Sequence, residues 1–299
     1  MASRSETVLI TGVNGFTGHH LRRKLQAVGY RVVGLVRTPP LQADELAADL
    51  AQPEAVRTVL ATVRPDCIVH LAAITFVPHG DPAELYQTNL FGTLNLLEAT
   101  LAVGLRPRKI LLASSATVYG NPPVEVIDET VCPAPTHHYA MSKLAMEHLA
   151  RSYGDRLPLL ITRPFNYTGP GQDQRFLLPK IVSHYRDCRP VIELGNLDVI
   201  RDFSDVRFVV DAYCRLLDSA VEGETVNLCS GRGTALGELI ETMNRIAGYA
   251  ISVRTDPNLV RAGELRKLVG CNRKLLALIG ELPVYSIQDI LENLYRAPG

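Results

Sequence analysis

The chain has 299 residues, of which 46% are hydrophobic, enough to build the core of one large α/β domain or of two smaller ones. Its 31 basic side chains balance 31 acidic ones, and this net charge of zero argues against general binding to nucleic acids or membrane surfaces. The six cysteines form no CxxC pair, which disfavours a disulfide scaffold and a zinc site. The chain has neither a signal-peptide-like segment nor an apolar run of about 18 residues, so we expect a cytoplasmic protein.

The first elements are a β-like run over residues 7–11, a glycine-rich turn and a helix over residues 19–28. The turn reads Gly12-Val-Asn-Gly15-Phe-Thr-Gly18, a G-x-x-G-x-x-G spacing one residue longer than the usual dinucleotide fingerprint. Glycines at these positions permit a tight turn and a close backbone approach, and the helix N-terminus then faces a pyrophosphate. This context predicts a dinucleotide-binding loop.

The second strand, over residues 31–36, is followed by Arg37 and Thr38. An acidic residue at this point would bind the ribose hydroxyls of NAD, whereas an arginine suits the 2′-phosphate of NADP. Arg37 therefore favours NADP(H), with NAD(H) as the alternative and a surface arginine that only stacks near the adenine as the simpler reading.

The next elements are a helix over residues 53–63, an apolar strand over 67–73, a long helix over 82–103 and a strand over 109–114. His70 lies within the apolar strand and is predicted to be a hydrogen-bonded core residue. Alternating strands and helices with short connections predict a doubly wound parallel α/β sheet of the Rossmann type. Ligands of such sheets bind at the carboxyl ends of the strands, which places Arg37, Ala72, Ala73, Ser114 and Ser115 at one edge.

A tyrosine and a lysine, Tyr139 and Lys143, begin a helix predicted over residues 139–153. Residues four apart share one helix face, so we expect the ammonium to lie near the phenol and to lower its pKa. A serine at the end of the preceding strand could bind the same substrate oxygen, making a proton donor and acceptor at a carbonyl or alcohol. The Tyr-x-x-x-Lys spacing alone is a weak signal.

The second half of the chain alternates between short strands and helices. Residues 163–172 are too rich in proline and glycine for a helix or a central strand, and we expect this loop to wall the site. The predicted elements are strands over 157–162, 191–195, 225–229 and 251–254 and helices over 176–185, 206–219, 235–247 and 287–295, with residues 199–205 left unassigned between them.

Seven motifs follow one another in an order that is typical of a single family: TGVNGFTG, Asp49-Leu50, HLAA, SSATVYG, YAMSK, RPFNYTGPGQ and RDFSDV. On these motifs the chain resembles the extended short-chain dehydrogenase/reductases (NAD-dependent epimerase/dehydratases), which act on nucleotide-sugars. Within that family it most resembles the GDP-4-keto-6-deoxy-D-mannose reductases. The resemblance implies a Rossmann domain over residues 1–163 and about 198–228. A smaller, mostly C-terminal α/β domain would bind the nucleotide-sugar, over residues 164–197 and about 229–299.

The resemblance also implies the roles of individual residues. Tyr139 would donate a proton to the sugar keto oxygen, Lys143 would bind the nicotinamide ribose and lower the tyrosine pKa, and Ser115 would polarise the carbonyl. The residues that match cofactor contacts are Gly12, Asn14, Gly15, Phe16, Thr17, Gly18, Arg37, Asp49, Leu50, Leu71, Ala72, Ala73, Tyr139 and Lys143. No metal site is implied.

On the substrate side, Asn166 matches a contact to the sugar or its diphosphate. Arg201 matches an arginine that pairs with the diphosphate, for which a planar bidentate donor is well suited. The C-terminal pair Arg261 and Glu264 matches residues that hold the diphosphate and the nucleotide ribose. Ser114, Ser115 and Lys180 complete the predicted substrate-binding set, and for each residue a structural polar role is the competing interpretation.

Two departures from the family pattern narrow the reaction. The 4,6-dehydratases carry an acid just after the catalytic serine or threonine, where this chain has Ala116 and Thr117, so dehydration is excluded. Cys132 and His138 lie nearby but do not match the cysteine and histidine pair of the 3,5-epimerase/reductases.

The expected reaction is NAD(P)H-dependent reduction of the C4 ketone of a nucleotide-linked 4-keto-6-deoxyhexose, here GDP-4-keto-6-deoxy-D-mannose to GDP-D-rhamnose. A nucleotide-sugar 4-epimerase with tightly bound NAD is the alternative, although that class usually carries an acid where this chain has Arg37. A non-catalytic dinucleotide sensor typically lacks the tyrosine or the lysine. We expect a homodimer, because the helices over 82–103 and 139–153 resemble those that form a four-helix bundle between subunits in this family.

Overall fold

Short strands form the framework of the fold in the computed structural model, which describes residues 6–75, 81–196, 198–257 and 266–298. The first six are β1 (Thr7–Thr11), β2 (Arg31–Val36), β3 (Glu45–Ala47), β4 (Cys67–His70), β5 (Lys109–Ala113) and β6 (Leu159–Pro164). The others are β7 (Asn166–Thr168), β8 (Val191–Leu194), β9 (Ile200–Asp205), β10 (Thr225–Leu228), β11 (Gly233–Ala235), β12 (Ser252–Thr255) and β13 (Lys267–Leu268).

The helices connect these strands in chain order. They are α1 (Phe16–Ala27), α2 (Pro53–Val63), α3 (Pro82–Tyr86), α4 (Gly92–Ala102), α5 (His138–Arg151), α6 (Leu177–Arg186), α7 (Val206–Asp218), α8 (Leu236–Ala247), α9 (Arg273–Ile279) and α10 (Ile287–Arg296). A π turn over Gln87–Phe91 joins α3 to α4, and a 3₁₀ turn over Ala116–Tyr119 follows β5. Within the described ranges, no helix is both long enough and apolar enough to cross a membrane.

Seven strands of the described chain form one parallel sheet in the order β10-β6-β5-β4-β1-β2-β3. The predicted doubly wound α/β fold is confirmed. The strand order reverses between β1 and β4, and ligands of open α/β sheets bind at such a switch point, beyond the carboxyl ends of the strands.

Helices cover both faces of this sheet, which explains why its strands read as nearly continuous apolar runs. On one face, α1, α7 and α9 contribute a buried cluster that includes Leu21, Val209 and Leu275. On the other face, α2, α4 and α5 bury a second cluster around Leu60 and Leu96.

The smaller layer is built around β9, which pairs with β7, β11 and β13, while β8 pairs with β12. Helices α6, α8 and α10 bury a separate cluster beside these strands. The domain boundaries remain a prediction. The pairing of β9 with the smaller sheet favours a crossover at Asp205 and Val206, later than residue 198, because α7 then packs on the large sheet.

Several elements differ from the sequence-based expectation. The loop predicted over 163–172 contains the end of β6 and the three-residue strand β7, since an edge position in a small sheet tolerates neighbouring proline and glycine. The long helix is interrupted by the π turn. The strands β3, β11 and β13 and the helix α9 were not predicted, because two to seven residues carry too little periodicity to be recognised.

Candidate active site

The glycine loop lies between the carboxyl end of β1 and the start of α1. Gly12 has a φ of +70°, and a Cβ atom there would lie 2.8 Å from the backbone nitrogen of Ala72. A Cβ on Gly18 would lie 2.3 Å from the carbonyl oxygen of Gly12. Side chains at these positions would therefore push the loop away from β4 and α1, so the close packing itself requires glycine.

A cavity of about 270 Å³ opens beside this loop at the switch point of the sheet. Eight predicted cofactor residues line it: Gly12, Asn14, Gly15, Arg37, Asp49, Leu50, Ala72 and Ala73. The lining also includes residues that were not predicted, among them Thr38, Ile74, Gln87 and Thr88. Phe16, Thr17, Gly18 and Leu71 lie outside it, at the first turn of α1 and the end of β4. The backbone cradle, the apolar walls and the helix N-terminus fit a dinucleotide.

A buried ion pair lies next to the glycine loop that borders the cavity. It was not predicted from the sequence. Arg22 of α1 donates to Glu45 of β3 over 2.9 Å, and both side chains are almost fully buried. Glu45 also accepts from the backbone nitrogen of Leu41 at 2.8 Å and from the amide of Asn14 at 3.4 Å. This carboxylate thus connects the glycine loop to the segment that follows Arg37. No local sequence signal marks the pair, because its partners lie 23 residues apart.

The three predicted catalytic residues lie together at the carboxyl end of β5. Ser115 and Tyr139 are each 8% exposed, and the Ser115 hydroxyl is close enough to the phenol to lower its pKa. The Ser115 hydroxyl also lies 2.9 Å from that of Thr117 and accepts from the Thr117 backbone nitrogen at 3.2 Å. Lys143, one helical turn after Tyr139, donates to the carbonyl oxygen of Ala113 at 2.8 Å. The arrangement places a phenol, a hydroxyl and an ammonium around one small volume.

Burial controls the protonation of this group. It raises the pKa of Tyr139 to about 12, against the opposing effect of the hydrogen bond from Ser115. The net shift is therefore upward: burial outweighs the lowering expected from Lys143, whose ammonium donates to Ala113. Burial also lowers the pKa of Lys143 to about 8, although the negative charge of Glu147 opposes the shift.

The lowered lysine pKa predicts an alkaline limit to turnover. Lys143 carries its charge below about pH 8 and loses it above. Because its predicted role requires the charged ammonium form, kcat/KM should fall above about pH 8. The Tyr139 phenol remains protonated across this range. Initial rates between about pH 6 and about pH 10 would test this. In Glu147→Gln the limit should move to lower pH, and a flat profile in the unmodified enzyme would contradict the prediction.

Ser114 has a partner that sequence reasoning missed. Its hydroxyl donates to Glu147 over 2.5 Å, and Glu147 also binds the guanidinium of Arg163 through two bonds of 2.9 and 2.6 Å. All three side chains are buried. The structure therefore gives Ser114 a structural hydrogen bond in place of the predicted substrate contact, and the hydroxyl beside Tyr139 belongs to Ser115.

A second buried network joins the cavity wall to the catalytic helix. His70 accepts at Nδ1 from the Thr11 hydroxyl (2.7 Å) and donates from Nε2 to Thr93 (2.9 Å), because Thr93 itself donates to the backbone of Asn89. Burial lowers the pKa of His70 to about 3, which confirms a neutral core histidine.

The side chain of Asn89, in the π turn, bonds both to the cavity wall and to the catalytic helix. Its side chain accepts from the backbone nitrogen of Ile74 at 2.9 Å and donates to Ser142 at 3.0 Å. Ser142 in turn donates to the carbonyl oxygen of Tyr139 at 2.8 Å. One amide thus holds the cavity wall and the catalytic helix together, and π turns are frequently found at such functional positions.

The predicted substrate-side residues are distributed over the smaller sheet. Asn166 is exposed at the start of β7, and Arg201 lies on β9, two residues from the register partner of Asn166 and so on the same face. The guanidinium of Arg201 donates to its neighbouring carbonyl at 3.0 Å. Lys180 donates to the carbonyl oxygen of Glu193 at 2.8 Å, which ties α6 to β8. Arg261 and Glu264 lie outside the described residues.

Asp202, next to Arg201, is a fully buried carboxylate that sequence reasoning left without a role. It accepts from the backbone and hydroxyl of Ser230 at 2.8 and 2.6 Å, from Gly231 at 2.9 Å and from Gly270 at 3.3 Å. These bonds fix β9 against two neighbouring loops and so hold the backbone that carries Arg201.

Comparison with known proteins shows relatives of nearly equal length. The chain matches the NAD dependent epimerase/dehydratase family over residues 8–229. It is 34% identical to GDP-6-deoxy-D-talose 4-dehydrogenase of Aggregatibacter actinomycetemcomitans, covering 97% of each chain. It is 35% identical to GDP-6-deoxy-D-mannose reductase of Pseudomonas aeruginosa, covering 97% of this chain and 96% of the relative. It is 27% identical to UDP-glucose 4-epimerase of Rhizobium meliloti, covering 98% and 97%.

Solved structures of similar proteins have the same fold as this chain. A protein of Burkholderia cenocepacia J2315, identified only provisionally as an epimerase, is 47% identical and superposes with a TM-score of 0.92 over 98% of both chains. RMD from Pseudomonas aeruginosa, solved in complex with NADPH, is 33% identical with a TM-score of 0.86, covering 97% of this chain and 98% of that one. Both share the complete architecture with the present chain.

Proposed function

We propose that this chain, which belongs to the NAD dependent epimerase/dehydratase family, is a GDP-sugar reductase that converts GDP-4-keto-6-deoxy-D-mannose to GDP-D-rhamnose with NADPH. The observation that carries the proposal is the grouping of Ser115, Tyr139 and Lys143 at the carboxyl end of β5, the same edge of the sheet as the dinucleotide cavity, with burial raising the pKa of the Tyr139 phenol. A neutral phenol is a proton donor, as reduction of a ketone requires, whereas oxidation of an alcohol needs a base. The two GDP-sugar relatives support the substrate class.

The residues of the chain account for the proton half of the reaction. When bound, a reduced nicotinamide supplies the hydride that forms the new C–H bond at C4. Ser115 and Tyr139 bind the C4 oxygen, and Tyr139 transfers its proton to that oxygen as the carbonyl π bond breaks. The resulting phenolate is stabilised by the nearby Lys143 ammonium and recovers a proton from water.

Dehydration of the sugar requires an acid or base at C5 and C6, and the chain does not supply one next to Ser115. Ala116 and Thr117 occupy the 3₁₀ turn there, and Thr117 is engaged with the Ser115 hydroxyl. An aliphatic hydroxyl is too weak an acid and too weak a base to replace a carboxyl group in this role near neutral pH. This arrangement argues against dehydration at the site.

Arg37 supports NADPH as the reductant. It is exposed at the end of β2 and lines the cavity, where an acid would favour the free ribose of NAD. A guanidinium pairs well with a phosphate, so we expect it to bind the 2′-phosphate. NADH would lack this contact.

Arg37→Ala is expected to weaken NADPH binding by about 10- to 100-fold, the value of one charge-assisted hydrogen bond or more, with little change for NADH. Titrations that follow nicotinamide fluorescence would measure both dissociation constants. Arg31→Ala, an exposed arginine at the opposite end of β2, is the matched control. Equal losses for NADPH and NADH in Arg37→Ala would contradict the 2′-phosphate assignment.

The decisive experiment offers GDP-4-keto-6-deoxy-D-mannose and NADPH to the purified protein. Stoichiometric loss of reduced-nicotinamide absorbance is expected, and NMR of the isolated product would separate GDP-D-rhamnose from its C4 epimer, GDP-6-deoxy-D-talose. If NADPH were not oxidised in the presence of any GDP-, UDP- or dTDP-linked 4-keto sugar, the proposal would be refuted. Tightly bound NAD in the purified protein, together with interconversion of UDP-sugars without added cofactor, would establish the 4-epimerase alternative instead.

Two exposed apolar side chains support the proposed homodimer. Phe91 at the π turn is 45% exposed, and Met141 on α5 is 40% exposed. They lie on the two helical segments expected to pair with the same segments of a second copy. Light scattering of the purified protein would measure the mass, and a monomer at micromolar concentration would refute this part of the proposal.

A further inference from the structure

Strand β7 and the residues just after it are joined to the N-terminal part of α1 by three contacts. The rings of Phe16 and Tyr167 stack with centroids 6.0 Å apart and planes inclined by 22°. The hydroxyls of Thr17 and Tyr167 lie 2.6 Å apart, and His20 donates from Nε2 to the carbonyl oxygen of Pro170 at 2.8 Å. The contacts join the proposed cofactor helix to the strand that begins with the proposed substrate residue.

Tyr167 lies close to the catalytic tyrosine. Its ring packs against the buried cluster of α1 and α7, and it is close enough to Tyr139 to affect that phenol electrostatically. Burial raises the pKa of Tyr167, against the opposing effect of its bond with Thr17, so the phenol keeps its proton. The proposed mechanism leaves this second phenol without a function.

The hydrogen-bond capacity of Thr17 indicates what that function is. A threonine hydroxyl has one proton to donate and two lone pairs that accept. Either hydroxyl can be the donor, and because a phenol is more acidic than an aliphatic hydroxyl, its acidity favours the orientation in which Tyr167 donates to Thr17. The Thr17 proton is then free to be directed elsewhere, and Thr17 is the second residue of α1, where the helix N-terminus favours an anion.

We infer that Tyr167 is a positioning residue that orients the Thr17 hydroxyl to donate to the cofactor diphosphate. The inference rests on the nicotinamide dinucleotide of the proposed function. In the opposite orientation, Thr17 would donate to Tyr167 and turn only lone pairs toward the phosphate, which would repel it. Tyr167 thus removes the unfavourable orientation before the cofactor arrives.

The inference predicts that Tyr167→Phe, which removes one hydroxyl and keeps the ring, raises the Kd for NADPH by about five- to tenfold. Fluorescence titration without any sugar substrate would measure it. Tyr30→Phe is the matched control, since Tyr30 lies beyond the other end of α1 and donates to Asp218. An unchanged Kd in Tyr167→Phe would overturn the inference.

A double-mutant cycle separates this role from simple packing. Thr17→Val should weaken NADPH binding at least as much as Tyr167→Phe, and adding Tyr167→Phe to it should have no further effect. Thr17→Ser, which keeps the hydroxyl, should bind like the unmodified protein. Additive losses in the double variant would show that Tyr167 acts independently of Thr17 and would overturn the inference.

An unmodified protein that binds no nicotinamide dinucleotide would refute this inference and the proposed cofactor chemistry together. Binding of NADPH without ketone reduction would refute the proposed reaction alone.

Discussion

Replacing Tyr139 by phenylalanine is expected to lower kcat for ketone reduction by about 10²- to 10⁴-fold, the contribution of a positioned general acid. The phenol is 8% exposed and lies near Ser115, and burial raises its pKa to about 12. Phenylalanine keeps the ring and removes only the proton donor. The Kd for NADPH should therefore change by less than about threefold, which separates loss of chemistry from loss of the cofactor site.

Single-turnover reduction of GDP-4-keto-6-deoxy-D-mannose would measure the chemical step directly. Tyr185→Phe is the matched control, because it removes a buried phenol that donates to Asn244 at 2.7 Å in the smaller layer. It should leave kcat nearly unchanged. If Tyr139→Phe retained full turnover, the proton would have to come from another donor such as Ser115, and the proposed role of Tyr139 would be wrong.

Replacing Arg163 by alanine should produce the largest loss of stability, about 3–5 kcal/mol in the free energy of unfolding. Its guanidinium is 3% exposed and bound twice to the fully buried carboxylate of Glu147. Removing it leaves that charge in the interior with only Ser114 and the partly exposed Arg151 as partners. An uncompensated buried charge costs far more than a lost surface contact.

Urea unfolding followed by circular dichroism would measure this loss. Arg296→Ala is the control, since it breaks an exposed ion pair with Glu292 on α10 and should cost less than about 1 kcal/mol. Similar losses in the two variants would mean that the buried network contributes little to stability. The Arg163 variant should also lose activity. Ser114 binds the same carboxylate as Arg163 and is the chain neighbour of the catalytic Ser115, so a change in this network should also displace Ser115.

The parts of the site that could be predicted are those specified by a few neighbouring residues. Gly12 and Gly18 touch Ala72 and each other so closely that no side chain fits, and this requirement appears directly as a spacing of glycines. Tyr139 and Lys143 are one turn apart in any helix. The apolar runs that form β1, β4 and β5 indicated a parallel sheet covered on both faces, and its connectivity then placed the loops at one edge.

The remaining features depend on partners distant in the chain. The structural role of Ser114 could not be predicted from the sequence, because it depends on a bond to Glu147, 33 residues later. The pairing of Arg22 with Glu45 likewise has no local signature. The pKa of Tyr139 depends on how deeply the fold buries it, and the expectation based on the neighbouring lysine alone had the wrong sign. Local patterns identify which residue types are present, whereas burial decides their chemistry.

The orientation of Asn89 in the π turn at Gln87–Phe91 depends on the number of residues in the helical segment more than on their types. Each added or removed residue rotates everything beyond it by about 100° around the helix axis. Asn89 meets Ile74 and Ser142 only in its present orientation. Exposed positions of α3 and α4 can therefore accept many substitutions, whereas an insertion or deletion between Leu85 and Asn89 would rotate the amide away from both partners. In this stretch, the number of residues before Asn89 therefore constrains the chain more tightly than the identity of its exposed side chains.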